Sequence, residues 1–440
     1  MRRDRYAALG VAGAVSAALA LLVGCEELVP TATDASLIPI EPVTVEVVLG
    51  FEDFGGDLQV LGGFGSRSDL GLGFLARQFT GSLDARTLVR FASYPRSVSV
   101  RDSLGVTRAD SALTFLRGRI VLRFDTLRAN PSGPITITAA ATETAWHAPS
   151  ATWELAVDTI GDQTAWQTPG GGPAMIVGSA VLNIAESDSV VILVDSATVA
   201  SWGDTTNAAR GVLLAVEDEG VRVEFVQATL RVEARPSINV DTIVDLTAAG
   251  RELTFISTPD PDPMADGLRV GGAPAWRSIL TIELPDSLRG PPELCALVTC
   301  PLELTSERVN QAELVLTTSD ADAAFQPSGA ILLDVRAVLA PELLPKSPLG
   351  ASLVGILGQA VLPELFAGDA GETVSLPMSV FVRDLIRGET LDGSPASNTL
   401  AVLSTFEPLS VGFGSFVGPG RPGAPQLSLI LTISNNLQIP

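Results

Sequence analysis

Residues 221–236 read Val-Arg-Val-Glu-Phe-Val-Gln-Ala-Thr-Leu-Arg-Val-Glu-Ala-Arg-Pro. Val221, Val223 and Phe225 alternate with Arg222 and Glu224, and Leu230 and Val232 alternate with Arg231 and Glu233. Successive side chains of a strand point to opposite faces, so this period of two sets an apolar face against a charged one. The pattern returns near the C-terminus, where Leu427, Leu429, Leu431 and Ile433 are separated by Ser428, Ile430, Thr432 and Ser434. Shorter runs lie at 44–49, 87–91, 119–124 and 135–139. In a chain of 440 residues, 41 Gly and 30 Pro supply the breaks that many short strands need and long helices avoid. Charged residues make up 18% and apolar residues 46%, which excludes a disordered polyelectrolyte or a coiled coil. The expected class is all-β, as sandwiches or barrels.

The strand order occurs twice. Arg86–Phe91 lines up with Arg277–Ile282, Gly118–Arg123 with Ala312–Thr317, and Ser132–Ile135 with Ser328–Ile331. Val190–Trp202, Asn207 and Leu213–Val216 then correspond to Val374–Ile386, Asn398 and Leu400–Leu403. Each copy closes on an alternating strand, at 221–233 and 426–434. The repeat predicts tandem β-sandwich domains at 43–236 and 237–440, joined near Pro236–Asp241. Residues 339–368 are an apolar insertion in the second copy, and Leu349–Gly368 is expected to form a helix packed on its sandwich.

In the first copy, Thr87–Phe91 is followed by Trp146–Trp153, then by Val199–Trp202 with Asn207, Gly211 and Leu214. This succession resembles the DNRLRE-type domain, a carbohydrate-binding module of the alginate-associated kind. The resemblance implies a jelly-roll fold for both sandwiches and a sugar ligand. The second copy departs from it: the Trp pair is missing, and Leu385 or Ile386 stands where the first copy has Trp202.

At the N-terminus, Arg2, Arg3 and Arg5 precede an apolar run from Ala7 to Gly24. A basic start and an apolar stretch ending in small residues read as a secretory signal. Leu22-Val23-Gly24-Cys25 resembles the lipobox of bacterial lipoproteins, which implies a signal peptide at 1–24 and lipidation of Cys25. Residues 25–42, with Pro30, Pro39 and Pro42, then form a tether. The expected location is the cell envelope, at the outer membrane or cell surface, held by acyl chains. In an exported protein Cys295 and Cys300 are expected to close a local disulfide; a metal site would need further ligands that a single His does not supply.

Chemistry is constrained by scarcity. The formal charge of −22 argues against a nucleic acid partner, which requires clustered Lys and Arg. Lys346 and His147 are the only residues of their kinds, and neither a Walker loop nor a G-x-S-x-G elbow is present. No catalysis is expected, since the 50 acidic residues present no pair singled out for glycoside cleavage. Trp146, Trp166 and Trp202 are the candidate ligand-binding aromatics; each either stacks on a sugar or fills the core, as do Trp153 and Trp276. Asp260, Asp262 and Asp266 form either a calcium-binding loop or an ordinary acidic one. The expectation is a non-catalytic, lipid-anchored envelope protein that binds polysaccharide, a neutral glycan or one bridged by cation. The alternative is a structural or adhesion lipoprotein that docks another envelope protein, with a polysaccharide hydrolase or lyase third.

Overall fold

The computed structural model describes residues 43–95, 97–261, 267–289, 292–295 and 300–433. Cys25 and the signal and tether at 1–42 lie outside them, as do Asp262 and Asp266. The described chain is all-β. Two large antiparallel sheet systems, of nine and twelve strands, carry nearly all of it. Among the described residues two helices exceed a single turn, Ser196–Gly203 and Ser379–Arg387. Each follows the matching strand of its repeat, Ser189–Asp195 and Thr373–Pro377.

Val221–Pro236 is one strand of 16 residues. It pairs with Leu113–Phe124 over most of its length and with Gly73–Phe79 at its start. Val223, Phe225, Leu230 and Val232 are fully buried, as their alternation requires. Around them Leu122, Ile137, Ile192 and Leu214 complete the core of the nine-stranded system. The twelve-stranded system encloses its own core of Leu280, Leu314, Val335, Val402 and Leu429.

The sheets divide the chain differently from the boundaries at 43–236 and 237–440. Val244–Thr258, which opens the second repeat, lies in the nine-stranded system between Val221–Pro236 and Leu83–Phe91. Its first half pairs with Thr229–Ala234 and its second half with Asp84–Phe91. The crossing from one partner to the other falls at a bulge at Gly250, where a Cβ would lie 3.1 Å from the Ala228 carbonyl oxygen. The first repeat returns the arrangement. Val43–Gly50 pairs with Gln426–Ile433 and Gly55–Phe64 with Ala275–Ile282, both in the twelve-stranded system. Each repeat therefore lends its leading strands to the body of the other. Turn residues mark where a strand ends, but backbone pairing does not record which distant strand lies beside it, so the exchange leaves no local trace.

The segment at Leu349–Gly368 is not a helix. It forms strands Leu349–Ser352 and Gln359–Val361, both on the side of Ile331–Val338 away from Thr399–Ser404, and then the 3-10 turn Pro363–Phe366. Gly355 and Gly358 adopt positive φ, and a Cβ at Gly358 would meet the Leu333 carbonyl oxygen at 2.6 Å. Closely spaced glycines of this kind favour turns over a continuous helix. Phe366 anchors the end of the segment, edge-on to Phe416 at 5.5 Å.

A third core joins the two bodies. Leu72, Phe74, Leu83 and Phe255 of the first pack with Phe325, Val411 and Phe413 of the second. Beside it Arg222 donates to the Gln326 carbonyl at 3.2 Å, and Ser328 Oγ donates to Glu224 at 3.4 Å. Arg222 and Glu224 were expected on a charged, outward face. They are buried because the second body covers that end of the strand.

Candidate functional site

Strand Leu83–Phe91 has apolar residues on both faces, and each face is covered. Val89 points into the main core, whereas Leu88 on the opposite face meets Leu213, Ile256 and the Trp-rich segment. Trp146, Ala148, Ala151, Ala156 and Trp166 close over that face as a small core of their own. Arg90 stacks on the Trp146 ring at 4.3 Å, donates to the carbonyls of Trp146, Ala208 and Arg210, and pairs with Glu252. Trp166 donates its indole N–H to the Thr152 carbonyl at 2.9 Å. Trp202 packs beside Phe91.

Trp146, Trp166 and Trp202 are each only 4% exposed, so none offers a face to a sugar in this structure. The Pro and Gly residues around Trp146 and Trp166 turn the segment back on the sheet and do not lift it into solvent. The large apolar area of an indole makes that burial favourable. Trp153 is half-buried beneath the Arg86 guanidinium, 5.0 Å from the ring centre. His147 is exposed, with Nδ1 2.8 Å from Ser150 Oγ. Cys295 and Cys300 are bonded to each other, with Cα atoms 5.4 Å apart.

Where the Trp-rich cap ends, the same face opens into a groove of about 410 Å³. Its floor is small: Ala140, Ala174 and Ala215, with Ala76 beside them. Its walls are polar: Arg77, Gln78, Asp84, Arg86 and Glu217. Arg86 donates to the Gly170 carbonyl at 2.8 Å, and the Gln78 backbone N–H donates to Asp84 at 2.9 Å. Burial lowers the pKa of Arg86, a shift that Asp84 opposes and Arg77 adds to. The turn that carries Arg77 and Gln78 into the groove has positive φ at both Gln78 and Thr80, a region that β-branched Thr rarely visits. None of these wall residues stood out in the sequence. A signal for them exists in Asp84 and Arg86, which alternate with the buried Leu83 and Ala85, and in the run Ala139-Ala140-Ala141, which leaves the face uncovered.

A second cavity, of about 340 Å³, lies at the junction of the two bodies. Half-buried Trp276 lines it with Phe255, Phe325 and Phe413, and Arg67 and Asp260 form an ion pair at 2.9 Å on its wall. Asp260 therefore already has a cationic partner. Among the described residues no group of three or more His, Cys, Asp or Glu side chains is placed to hold a metal ion.

Next to Trp276, Arg277 grips the carboxylate of Glu407 through Nε at 2.8 Å and Nη2 at 2.5 Å, and stacks on Phe64. Burial raises the Glu407 pKa above its ordinary 4.5 despite the opposing effect of Arg277. An acid with a raised folded-state pKa contributes stability below its unfolded value and loses it as pH rises through the folded value. The stability of the protein relative to a Glu407→Gln variant is therefore expected to fall as pH rises above 4.5. Urea unfolding of both proteins at acidic and neutral pH measures this; a difference that grows with pH would contradict it.

No family model matches the chain. No curated protein matches it. Among solved structures, the C-terminal domain of the antigen I/II-family protein AspA of Streptococcus pyogenes is 8% identical, with 72% of this chain and 81% of that one covered and a TM-score of 0.11. The C-terminal domain of the AgI/II polypeptide BspA of Streptococcus agalactiae is also 8% identical, with 77% and 95% covered and a TM-score of 0.10. Scores this low support no statement about function.

Proposed function

We propose that this chain is a non-catalytic, lipid-anchored envelope protein of two jelly-roll-like β-sandwiches that binds a neutral glycan in the groove of the nine-stranded system. The observation that carries the reading is the groove itself. Its floor of small Ala side chains leaves room beside the walls, which combine guanidinium donors with carboxylate acceptors, the mixture that sugar hydroxyls use. The anchor at Cys25 leads through the tether to Val43, whose strand pairs with Gln426–Ile433. The tether therefore enters on the twelve-stranded body, and the groove belongs to the other.

Retention of the soluble fragment from Glu26 onward on a panel of insoluble and gelled polysaccharides, with and without calcium, tests the proposal. Arg77→Ala and Glu217→Ala are suitable variants because both side chains are exposed. Each is expected to weaken retention about 3–10-fold, the effect of losing roughly one hydrogen bond. Retention that neither variant weakens would move binding away from the groove. No retention on any polysaccharide would overturn the glycan reading in favour of the docking one. Exposed Ile356 and Leu357, in the insertion of the second repeat, are the observation that favours docking.

A further inference from the structure

The cavity between the bodies has a chemistry unlike that of the groove. Phe325 and Phe413 stack at 5.6 Å on one side, and Phe255 and Trp276 line the cavity with them. Arg67 enters from the turn Arg67–Leu70 and lies 5.6 Å over Phe255. Its Nε donates to the Ala273 carbonyl at 3.3 Å, and its Nη2 donates to Asp260 at 2.9 Å.

The two ends of this ion pair are unequal. The Arg67 side chain is 11% exposed and fixed by its neighbours, whereas that of Asp260 is 73% exposed. A desolvated guanidinium requires a counter-charge, but a solvated Asp leaves it at little cost. Burial also lowers the pKa of Arg67 and Asp260 opposes that shift, in keeping with a cation whose charge is neutralised from outside. The arrangement is an aromatic-lined space in which the lining cation, Arg67, has a replaceable partner, while a second buried guanidinium, that of Arg269, stacks on Trp276 at 4.8 Å and on Phe413 at 4.1 Å. At about 340 Å³ it falls at the small end of the size range for small-molecule sites, about 300–1,000 Å³.

We propose that this cavity binds a small amphiphilic carboxylate, a medium-chain alkyl or aryl acid. Its carboxylate takes the place of Asp260 on Arg67, and its apolar body lies against Trp276, Phe255 and Phe413. The site is independent of the glycan groove, shares no residue with it, and stands or falls separately.

Octanoate, octanol and octylamine, titrated into the soluble chain and followed by tryptophan fluorescence, test the proposal. Trp276→Phe identifies the responding ring. Octanoate is expected to give a saturable change that Trp276→Phe abolishes, and to bind about 10-fold or more tightly than octanol, the effect of one charge-assisted hydrogen bond. Asp260→Asn, a surface change, is expected to tighten octanoate binding several-fold and leave octanol unchanged, because it removes the internal competitor. Arg67→Gln is expected to erase the preference for the acid. Equal binding of octanoate and octanol would overturn the proposal, as would an Asp260→Asn variant that binds octanoate no better than the parent. The Asp260 result decides the matter even if Arg67→Gln fails to fold.

Discussion

Residues 43–236 expressed alone are expected to give a chain without a cooperative unfolding transition, although they comprise one complete sequence repeat. The missing strand, Val244–Thr258, sits inside the sheet, with Val221–Pro236 on one side and Leu83–Phe91 on the other. Without it both neighbours present unpaired backbone edges, and Leu246, Phe255 and Ile256 leave the core. At about 1.5–3 kcal/mol for each large buried side chain, those three residues alone contribute roughly 5–9 kcal/mol. That is comparable to the entire stability of an ordinary domain, about 5–15 kcal/mol. The same fragment also carries Val43–Gly50 and Gly55–Phe64 with no partners, since their ladders belong to the other body. A fragment of residues 65–258 avoids both defects and is expected to unfold cooperatively. Thermal unfolding followed by circular dichroism compares the two. A sharp transition for 43–236 and none for 65–258 would show that the reciprocal exchange is wrong.

Glu224→Ala is expected to be among the most damaging single substitutions in the chain. Glu224 is 1% exposed and lies within 3.4 Å of Arg222, 3.2 Å of Arg128 and 3.4 Å of Ser328 Oγ. Arg222 is itself buried between Phe74 and Phe79, and burial lowers its pKa while Glu224 sustains it. Removing the carboxylate leaves that guanidinium without its counter-charge, a change that costs about 3–5 kcal/mol. At about 2 °C per kcal/mol for a unit the size of the nine-stranded body, its melting temperature is expected to fall by roughly 6–10 °C. Glu224→Gln keeps the shape and is expected to lose less, and Ser328→Ala least. A fall smaller than about 2 °C for Glu224→Ala would mean that the junction does not depend on this cluster. Because the cluster and the aromatic core around Phe74 and Phe413 tie the bodies together, the same substitution is also expected to loosen the cavity beside them.

Much of the fold was legible in the sequence, because strand residues announce themselves by period two. Leu427, Leu429 and Leu431 are fully buried, and the two repeats meet in matching strand–helix pairs at Ser189–Gly203 and Thr373–Arg387. The helix expected at Leu349–Gly368 failed because apolar content was weighed above Gly355 and Gly358, whose positive φ makes turns. The site was less legible. Trp residues drew attention because they are rare, yet Trp146 and Trp166 spend their area on Leu88, Leu213 and Ile256. The polar groove was built instead from Arg77, Asp84, Arg86 and Glu217, common residue types on strand Gly73–Phe79, on strand Leu83–Phe91 and just after strand Val212–Val216.

By itself the sequence determined the class of structure, the repeat and its element order, since alternation, turn residues and self-similarity are local properties written along the chain. Only the tertiary structure decided which strands lie together. It placed Val43–Gly50 against Gln426–Ile433 and Val244–Thr258 against Leu83–Phe91, buried Arg222 and Glu224, and opened a cavity between Arg67 and Trp276. Those outcomes depend on contacts between residues far apart in the chain. A strand pattern states which face of each residue is apolar, and the partner that covers that face is chosen by the packing of the whole molecule.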